Sequence, residues 1–221
     1  MRAAPLNSVD LVLCAPLGRQ LAVLLVRDKS KRARERWSLP WAPLTPKHAP
    51  DHTAAALALK TSGVRASWIE QAGAFTDEKR HPGGAPISVA YVGVTPMHAR
   101  GLRDRVEWFP VGKLPSVAPR HRAMIDAAVA QLRERMDRAP VAFRLLEETF
   151  TLSDLQEVYE LLLGRRLHKA SFRRALQAAF LVAPTDEWRS EGRGRPAQLF
   201  RYAPRKRRSG RGGVRFELLA G

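Results

Sequence analysis

Residues 143–202 read FRLLEETFTLSDLQEVYELLLGRRLHKASFRRALQAAFLVAPTDEWRSEGRGRPAQLFRY, and the order of elements in this stretch decides the fold of the C-terminal part of the chain. Apolar residues at helical spacing predict a helix after Thr151, where Thr-Leu-Ser-Asp154 is typical of a capping box. Gly164 suits the end of that helix. A second helix, rich in Arg and Lys, is predicted a few residues later, and two strand-like segments follow it.

Each of the two predicted helices has one apolar face. The first face holds Leu155, Val158, Tyr159 and Leu162, and the second holds Phe172, Leu176, Ala179 and Phe180. Segments 181–188 and 197–202 are predicted to pair as a hairpin, whose tip at 192–196 is rich in Arg and Gly. The order of helix, turn, helix and hairpin is that of a winged helix-turn-helix, which is a DNA-binding module.

The second helix carries residue types that can recognise bases in the major groove. Arg173, Arg174 and Gln177 can pair with the edges of guanine or adenine. Lys169, at the start of the helix, suits a phosphate. The hairpin residues Arg193 and Arg195 are predicted to enter the minor groove or to hold the DNA backbone. The alternative interpretation is a basic helix that is merely solvated.

The charge of the chain favours a polyanionic partner. It has 38 Lys and Arg residues against 21 Asp and Glu residues, a net charge of +17 and a pI of about 11.3. Residues 165–215 alone hold 15 Lys and Arg residues against three acidic ones. A generally basic proteome would also explain a high pI, but it would not require this clustering. The tail 205–221 is predicted to be basic and disordered until it meets phosphate.

Cysteine usage and hydropathy indicate the cellular compartment in which the protein is expected. The one cysteine, Cys14, lies in an apolar run and is expected to be buried. A single thiol cannot form an internal disulfide, so a reducing cytoplasm is expected. No apolar run approaches the 18 residues of a membrane-spanning helix, and the N-terminus lacks the features of a signal peptide.

The first part of the chain is predicted to be an α/β domain with a mixed sheet and helices. Strands are predicted at 9–15, 21–26, 87–94 and 106–111, and helices at 51–61 and 121–136. Asp51 is predicted to cap the first helix, and Gly63 follows its end. We therefore predict this domain over residues 1–138, a winged helix domain over 139–204 and the basic tail over 205–221.

Residues 42–63, which follow Trp37-Ser-Leu-Pro40-Trp41, resemble the Nudix hydrolase box in length but lack its acids. When the closing glycine of the box is set at Gly63, the family's acidic positions fall on His48, Leu57, Lys60 and Thr61. Pyrophosphate cleavage in this family uses Mg²⁺ held by hard oxygen ligands. Leu57 offers no such ligand and Lys60 brings a positive charge. We therefore expect no metal, no cofactor, no catalytic residue and no enzymatic activity.

Taken together, the two halves of the chain match a known family over about residues 8–204. The most specific pieces are Ser171-Phe172-Arg173-Arg174 and Gly194-Arg195-Pro196-Ala197, and further ones are Ser8-Val9-Asp10, Ser88-Val-Ala-Tyr91 and His121. On these pieces the chain resembles the Nudix-related transcriptional regulators of bacterial NAD metabolism, the NrtR-like family. The matching cluster adds Ser171 to the residues that we expect at the DNA.

The resemblance implies a homodimer held by the Nudix-like domains and a palindromic operator on double-stranded DNA. It also implies release or modulation by an effector of the ADP-ribose or NAD type. Besides the missing acids of the box, two features depart from the family. The acidic residue expected after Arg80 is His81 here, and an arginine expected near Gly83 and Ala85 is absent.

Four residues are candidates for an effector site that works without metal. They are Trp37, Trp41, Lys60 and Arg80. Aromatic and basic side chains of this kind can hold a phosphorylated nucleotide. The alternative interpretation is that Trp37 belongs to the core and that Arg80 is a solvated loop residue.

The sequence thus favours a bacterial transcription regulator with a catalytically inactive Nudix-like sensor domain. One alternative is a divergent Nudix hydrolase that acts on a nucleoside diphosphate derivative, and the missing carboxylates argue against it. Another is a basic protein that binds nucleic acid without sequence preference. Enrichment of particular sequences by the protein would separate the last alternative from the first.

Overall fold

The structure is a computed structural model that describes residues 7–27, 37–76, 81–96, 105–136, 140–190 and 196–204. The chain divides into two compact units, Met1–Gln131 and Leu132–Gly221. Arg80, Arg193, Arg195 and the tail 205–221 lie outside the described residues. Among the described helices, none has the length and apolar character that a membrane crossing requires.

The first unit is a mixed sheet with helices, as the sequence predicts. Its strands are β1 (Ser8–Leu17), β2 (Gln20–Arg27), β3 (Trp37–Ser38), β4 (Trp41–Pro43), β5 (Trp68–Phe75), β6 (Ser88–Val94) and β7 (Val106–Pro110). Its helices are α1 (Pro50–Ser62) and the start of α2 (Pro119–Arg135), and a short 3₁₀ turn spans Val111–Lys113. The strand order is β3-β2-β1-β6-β5, with β4 on β1 and β7 on β2.

The central strands β1 and β2 form the predicted hairpin. Their side chains are apolar and buried in continuous runs, as expected for strands that are covered on both faces. β1 also pairs in parallel with β6, which places Ser8 beside Ser88. Cys14 is buried in β1, and burial raises the pKa of its thiol to about 12. The thiol therefore stays protonated at neutral pH and behaves as a small apolar group.

Helix α1 begins differently from the prediction. Asp51 does not cap it, because Pro50 takes the first helical position and Ala49 becomes the N-cap. Asp51 instead accepts a hydrogen bond from the Tyr91 hydroxyl at 3.4 Å. The predicted end is confirmed, since Gly63 has a φ of 78° and its N–H donates to the carbonyl oxygen of Leu59 at 3.0 Å.

The second unit has the predicted order of helix, turn, helix and hairpin. Its elements are α3 (Val141–Arg144), β8 (Thr149–Phe150), α4 (Leu152–Leu163), α5 (Lys169–Ala179), β9 (Val182–Arg189) and β10 (Ala197–Tyr202). The three strands form a sheet in the order β8-β10-β9. Its core includes an aromatic cluster in which Phe143 contacts Phe150, Tyr159 and Tyr202, and Tyr159 contacts Phe172.

One residue of the predicted apolar face of α5 is misplaced. Phe172 and Leu176 are buried as predicted, but Phe180 is 49% exposed. The helix ends at Ala179, and Phe180 adopts the left-handed conformation with a φ of 51°. The chain therefore turns out of the helix at Phe180, and Leu181 supplies the next buried side chain.

Candidate functional site

Helix α5 presents basic and polar side chains to solvent. Lys169, Arg173, Arg174 and Gln177 are exposed, whereas Phe172 and Leu176 hold the helix to the core. Ser171 is half-buried, and its Oγ lies 3.3 Å from Nδ1 of His168. The first turn of α5 contains no acidic residue, so nothing there neutralises the positive end of the helix dipole. The helix surface thus suits a polyanion.

The start of α4 is joined to the hairpin through Asp154. Its N–H donates to Oγ1 of Thr151 at 3.1 Å, and its Oδ2 accepts from the N–H of Thr151 at 2.8 Å. These two bonds are the capping box that the sequence predicts. The same carboxylate accepts from Nη2 of Arg189, the last residue of β9, at 2.6 and 2.8 Å. One charged group therefore holds both the helix-turn-helix and the hairpin.

The hairpin of β9 and β10 joins the two strands through the segment that carries the two predicted minor-groove residues. β9 and β10 are antiparallel up to the pair Arg189 and Ala197. Arg193 and Arg195 lie between these strands in sequence and outside the described residues, so their assignment stays a prediction. Trp188, next to the tip, is 57% exposed.

The first unit contains a fully buried polar cluster that sequence reasoning did not assemble. Nε2 of His81 lies 2.8 Å from Oδ1 of Asp10, and Nε2 of His121 lies 3.2 Å from the same oxygen. All three side chains are shielded from solvent. The available signal was Ser8-Val-Asp10, two polar residues that alternate with apolar ones at the start of a buried strand.

Backbone donors assign the tautomers of both histidines. Nδ1 of His81 accepts from the N–H of Gly83 at 3.0 Å, and Nδ1 of His121 accepts from the N–H of Leu39 at 3.1 Å. A nitrogen that accepts carries no hydrogen, so the hydrogen of each neutral ring lies on Nε2 and points at Asp10. These three residues are the kinds that bind metal, and their ligand atoms lie within 4.8 Å of one another. In this arrangement, however, neither imidazole offers a lone pair to a cation.

A chain of hydroxyl groups continues from Asp10. Oγ of Ser8 lies 2.6 Å from Oδ2 of Asp10 and 2.9 Å from Oγ of Ser88. Because a hydroxyl has one hydrogen and a carboxylate only accepts, Ser8 donates to Asp10 and accepts from Ser88. Nη1 of the buried Arg120 lies 3.5 Å from Ser88 and donates to the carbonyl oxygen of Ala85 at 2.8 Å. The buried guanidinium of Arg120 thus lies at the end of this hydrogen-bonded series that is farthest from Asp10.

The hydrogen bonds to Asp10 decide its charge. Burial alone would raise the pKa of Asp10, but the hydrogen bonds from His121 and His81, together with electrostatic attraction to the two rings, outweigh burial and lower the pKa to about 2. Asp10 is therefore ionised at every pH near neutrality. It joins β1, the segment around His81 and the start of α2.

Trp41 packs against one member of this cluster. Its ring meets the imidazole of His81 edge to face, with a centroid distance of 4.9 Å. A Cβ atom on Gly83 would lie 2.3 Å from the Trp41 ring, so only glycine leaves room for the indole. Trp41 thus packs on Gly83, in the segment near which the family's expected arginine is absent.

The other candidates for an effector site lie in separate surroundings. Trp37 packs against Phe109 with a centroid distance of 4.7 Å, which fits its interpretation as a structural residue. Lys60 is exposed in the last turn of α1. Arg80 lies outside the described residues. These contacts do not gather the tryptophans and Lys60 into one cluster.

The positions that carry acids in a Nudix box are occupied by other side chains. Leu57 is buried in a core cluster with Leu11 and Tyr91. Thr61 donates from Oγ1 to the carbonyl oxygen of Leu57 at 2.6 Å. His48 is exposed just before α1.

A Nudix-type sheet followed by a winged helix-turn-helix defines a class of DNA-binding transcription regulators. A family model described as the NrtR DNA-binding winged helix domain matches residues 142–202. The structure is similar to that of Shewanella oneidensis NrtR complexed with a 27mer DNA, with a TM-score of 0.76 and 30% identity over 90% of this chain and 94% of that chain. The chain belongs to the NrtR family of transcriptional regulators.

Two further relatives support the comparison. The ADPR responsive transcriptional repressor NtrR of Acinetobacter baylyi is 27% identical over 208 residues, which cover 90% of this chain and 83% of that protein. A MutT/nudix family protein from Enterococcus faecalis has a TM-score of 0.73 at 20% identity, over 91% of this chain and 89% of that chain. The latter likeness shows the fold alone.

The Asp10 cluster predicts a pH dependence of stability. A carboxyl whose pKa is lowered by folding stabilises the folded state above its unfolded pKa, near 4, and this contribution is lost as the pH falls through about 2. We expect Asp10→Asn to lower the free energy of unfolding by about 2 kcal/mol or more at pH 7, and by less at pH 3. Urea unfolding at each pH measures this. Asp126→Asn, on an exposed ion pair, is the control, and equal profiles for the two variants would contradict the expectation.

The tautomers of His81 and His121 predict that the cluster does not take up a metal ion. We expect Zn²⁺ to leave the thermal unfolding temperature unchanged at a ratio of one ion per chain. Nitrogen-15 spectra of labelled histidine should show two rings with hydrogen on Nε2 at neutral pH. Stoichiometric Zn²⁺ binding that disappears in His121→Ala would overturn this assignment.

Proposed function

We propose that this regulator reads double-stranded DNA with helix α5 and steadies the duplex with its hairpin. The exposed row of Lys169, Arg173, Arg174 and Gln177 carries the proposal. Arg and Gln pair with purine edges in the major groove, whereas Lys acts mainly on phosphate. That the S. oneidensis relative was crystallised with a 27mer DNA supports this assignment.

The remaining predicted contacts act on the DNA backbone. Ser171, near the start of α5, is assigned to a phosphate. Arg193 and Arg195 are assigned to the minor groove or its phosphates, and the tail 205–221 to further phosphates. We also infer a homodimer formed through the Nudix-like domain. Because operator symmetry mirrors protein symmetry, the target would be palindromic.

We infer that the Nudix-like domain is a sensor for a nucleotide of the ADP-ribose type. The support is the A. baylyi relative, which is named an ADPR responsive repressor. Trp41, Trp37, Lys60 and Arg80 are the candidates for contact, and the packing of Trp41 on Gly83 makes that indole part of the fold as well. A ligand shifts DNA affinity only if it binds the two conformations of the protein unequally.

We propose that the domain does not hydrolyse nucleotides. Leu57 is buried in the core, and Lys60 adds a positive charge where the family has acids. Mg²⁺ binds hard oxygen ligands, for which proteins mostly use carboxylates, and neither side chain supplies one. The alternative, a divergent Nudix hydrolase, requires carboxylates from elsewhere in the chain.

The roles of Lys169 and Arg173 can be separated by mutation. Lys169→Ala should weaken binding to all duplexes alike and reduce the salt slope by about one, whereas Arg173→Ala should relax sequence preference by roughly ten- to a hundredfold. Wild-type affinity should fall by roughly 10³–10⁵ between 50 and 200 mM salt if six to ten phosphates are contacted. Fluorescence anisotropy measures the affinities of the two variants and of the wild type at each salt concentration. Lys113→Ala, which removes a positive charge outside α5, is the control. Identical profiles for Lys169→Ala and Arg173→Ala would refute the division.

The sensor role predicts a ligand effect without turnover. ADP-ribose should raise the thermal unfolding temperature and change the affinity for the preferred duplex. Chromatography should find no hydrolysis of ADP-ribose or NAD in the presence of Mg²⁺. Turnover that depends on Mg²⁺ would favour the hydrolase. If neither ADP-ribose nor NAD changes the unfolding temperature or the DNA affinity, the protein would be a DNA binder without this effector.

A further inference from the structure

The turn between α4 and α5 is held by a closed set of hydrogen bonds. Gln156 and Glu160 lie one turn apart on α4, and Nε2 of Gln156 donates to Oε1 of Glu160 at 2.9 Å. The N–H of Leu167 donates to the same oxygen at 2.9 Å. The carbonyl oxygen of Leu167 accepts from Nε2 of Gln156 at 3.0 Å. Both backbone groups of this buried turn residue are therefore paired with side chains of α4.

Hydrogen-bonding capacity fixes which atoms take part. Gln156 faces two acceptors, so only its amide nitrogen can fill that position. Glu160 receives two N–H groups on one oxygen, and its other oxygen lies 3.5 Å from Nη1 of Arg166. The Glu160 side chain is 10% exposed and that of Arg166 is 74% exposed. The part-buried bonds to Gln156 and Leu167 thus outweigh the more exposed ion pair with Arg166.

This arrangement lies directly before the helix that carries the DNA-reading residues. Leu167 precedes the first residue of α5, Lys169, by two positions, and its side chain is buried. Fixing the Leu167 peptide therefore fixes where α5 leaves the turn. Hydrogen bonds to base edges tolerate displacements of only about half an ångström, whereas attraction to phosphates tolerates far more.

We propose that Glu160 is a positioning residue for sequence recognition, acting through Leu167 on the direction in which α5 presents Arg173, Arg174 and Gln177. This positioning role requires no contact between Glu160 and DNA. The inference rests on the proposed function, in which α5 reads duplex DNA.

The sign of the effect distinguishes this role from simple electrostatics. Removing an acid from a basic DNA-binding domain should, by charge alone, strengthen binding to a polyanion. If Glu160 positions α5, its removal should instead weaken binding to the preferred sequence. Binding to unrelated duplexes should stay the same or become tighter, because it depends on phosphate attraction.

The test compares Glu160→Ala with Glu157→Ala in the full-length chain. Glu157 is exposed on the same helix, so both variants lose one negative charge from α4. The probes are a duplex enriched from a random pool by the wild-type protein and a scrambled duplex of equal length. We expect Glu160→Ala to bind the enriched duplex about tenfold more weakly or worse, with no loss on the scrambled one. Glu157→Ala should bind both at least as tightly as the wild type.

Two variants of unchanged size make the test independent of folding losses in Glu160→Ala. Glu160→Gln keeps an oxygen for Leu167 and Gln156 and should retain most of the preference. Gln156→Glu places a carboxylate against two acceptors and should lose the sequence preference. Circular dichroism should show that this variant stays folded.

Different results sink the different claims. If the wild type enriches no sequence, the proposed function and this inference both fall. If it enriches one and Glu160→Ala or Gln156→Glu keeps the full ratio of enriched to scrambled affinity, only the positioning role is overturned.

Discussion

A carboxylate that is wholly or partly withdrawn from water must be met by hydrogen-bond donors, and this constraint organises both units of the chain. In the first unit Asp10 collects donors from Ser8, His81 and His121, so distant segments converge on one buried strand. In the second unit Asp154 ties the start of α4 to Arg189 of the hairpin. Removing one partner would leave a charge that is poorly paired away from water, which costs roughly 3–5 kcal/mol when the site is fully buried.

The same constraint bears on the function. The buried acids of this chain hold segments together, whereas the helix that would carry Nudix acids has Leu57 in the core and Lys60 at the surface. In the second unit Glu160 accepts hydrogen bonds at the turn before α5 and Asp154 caps α4, and α5 leaves cations on its exposed side. The cations on the exposed side of α5 are what a DNA-reading module requires, and the loss of acids from α1 supports the proposal that the first domain does not hydrolyse nucleotides.

Local signals in the sequence predicted local structure well. The capping box of α4 depends on residues three apart, and the β1–β2 hairpin depends on a short turn, so both were visible without tertiary contacts. The polar cluster was not, because His81 and His121 lie 71 and 111 residues from Asp10 and meet it only through the packing of the first unit. Phe180 and Asp51 were misjudged at helix ends, where a change of one residue alters the direction of a side chain.

The claim that the chain is a sequence-reading regulator rather than a hydrolase is tested most directly by selecting duplexes from a random pool with the full-length protein. We expect enrichment of one motif with two-fold symmetry, because a dimer would place two copies of α5 on successive turns of the major groove. A pool that stays random, from a preparation that cleaves a nucleoside diphosphate derivative when Mg²⁺ is supplied, would contradict the account.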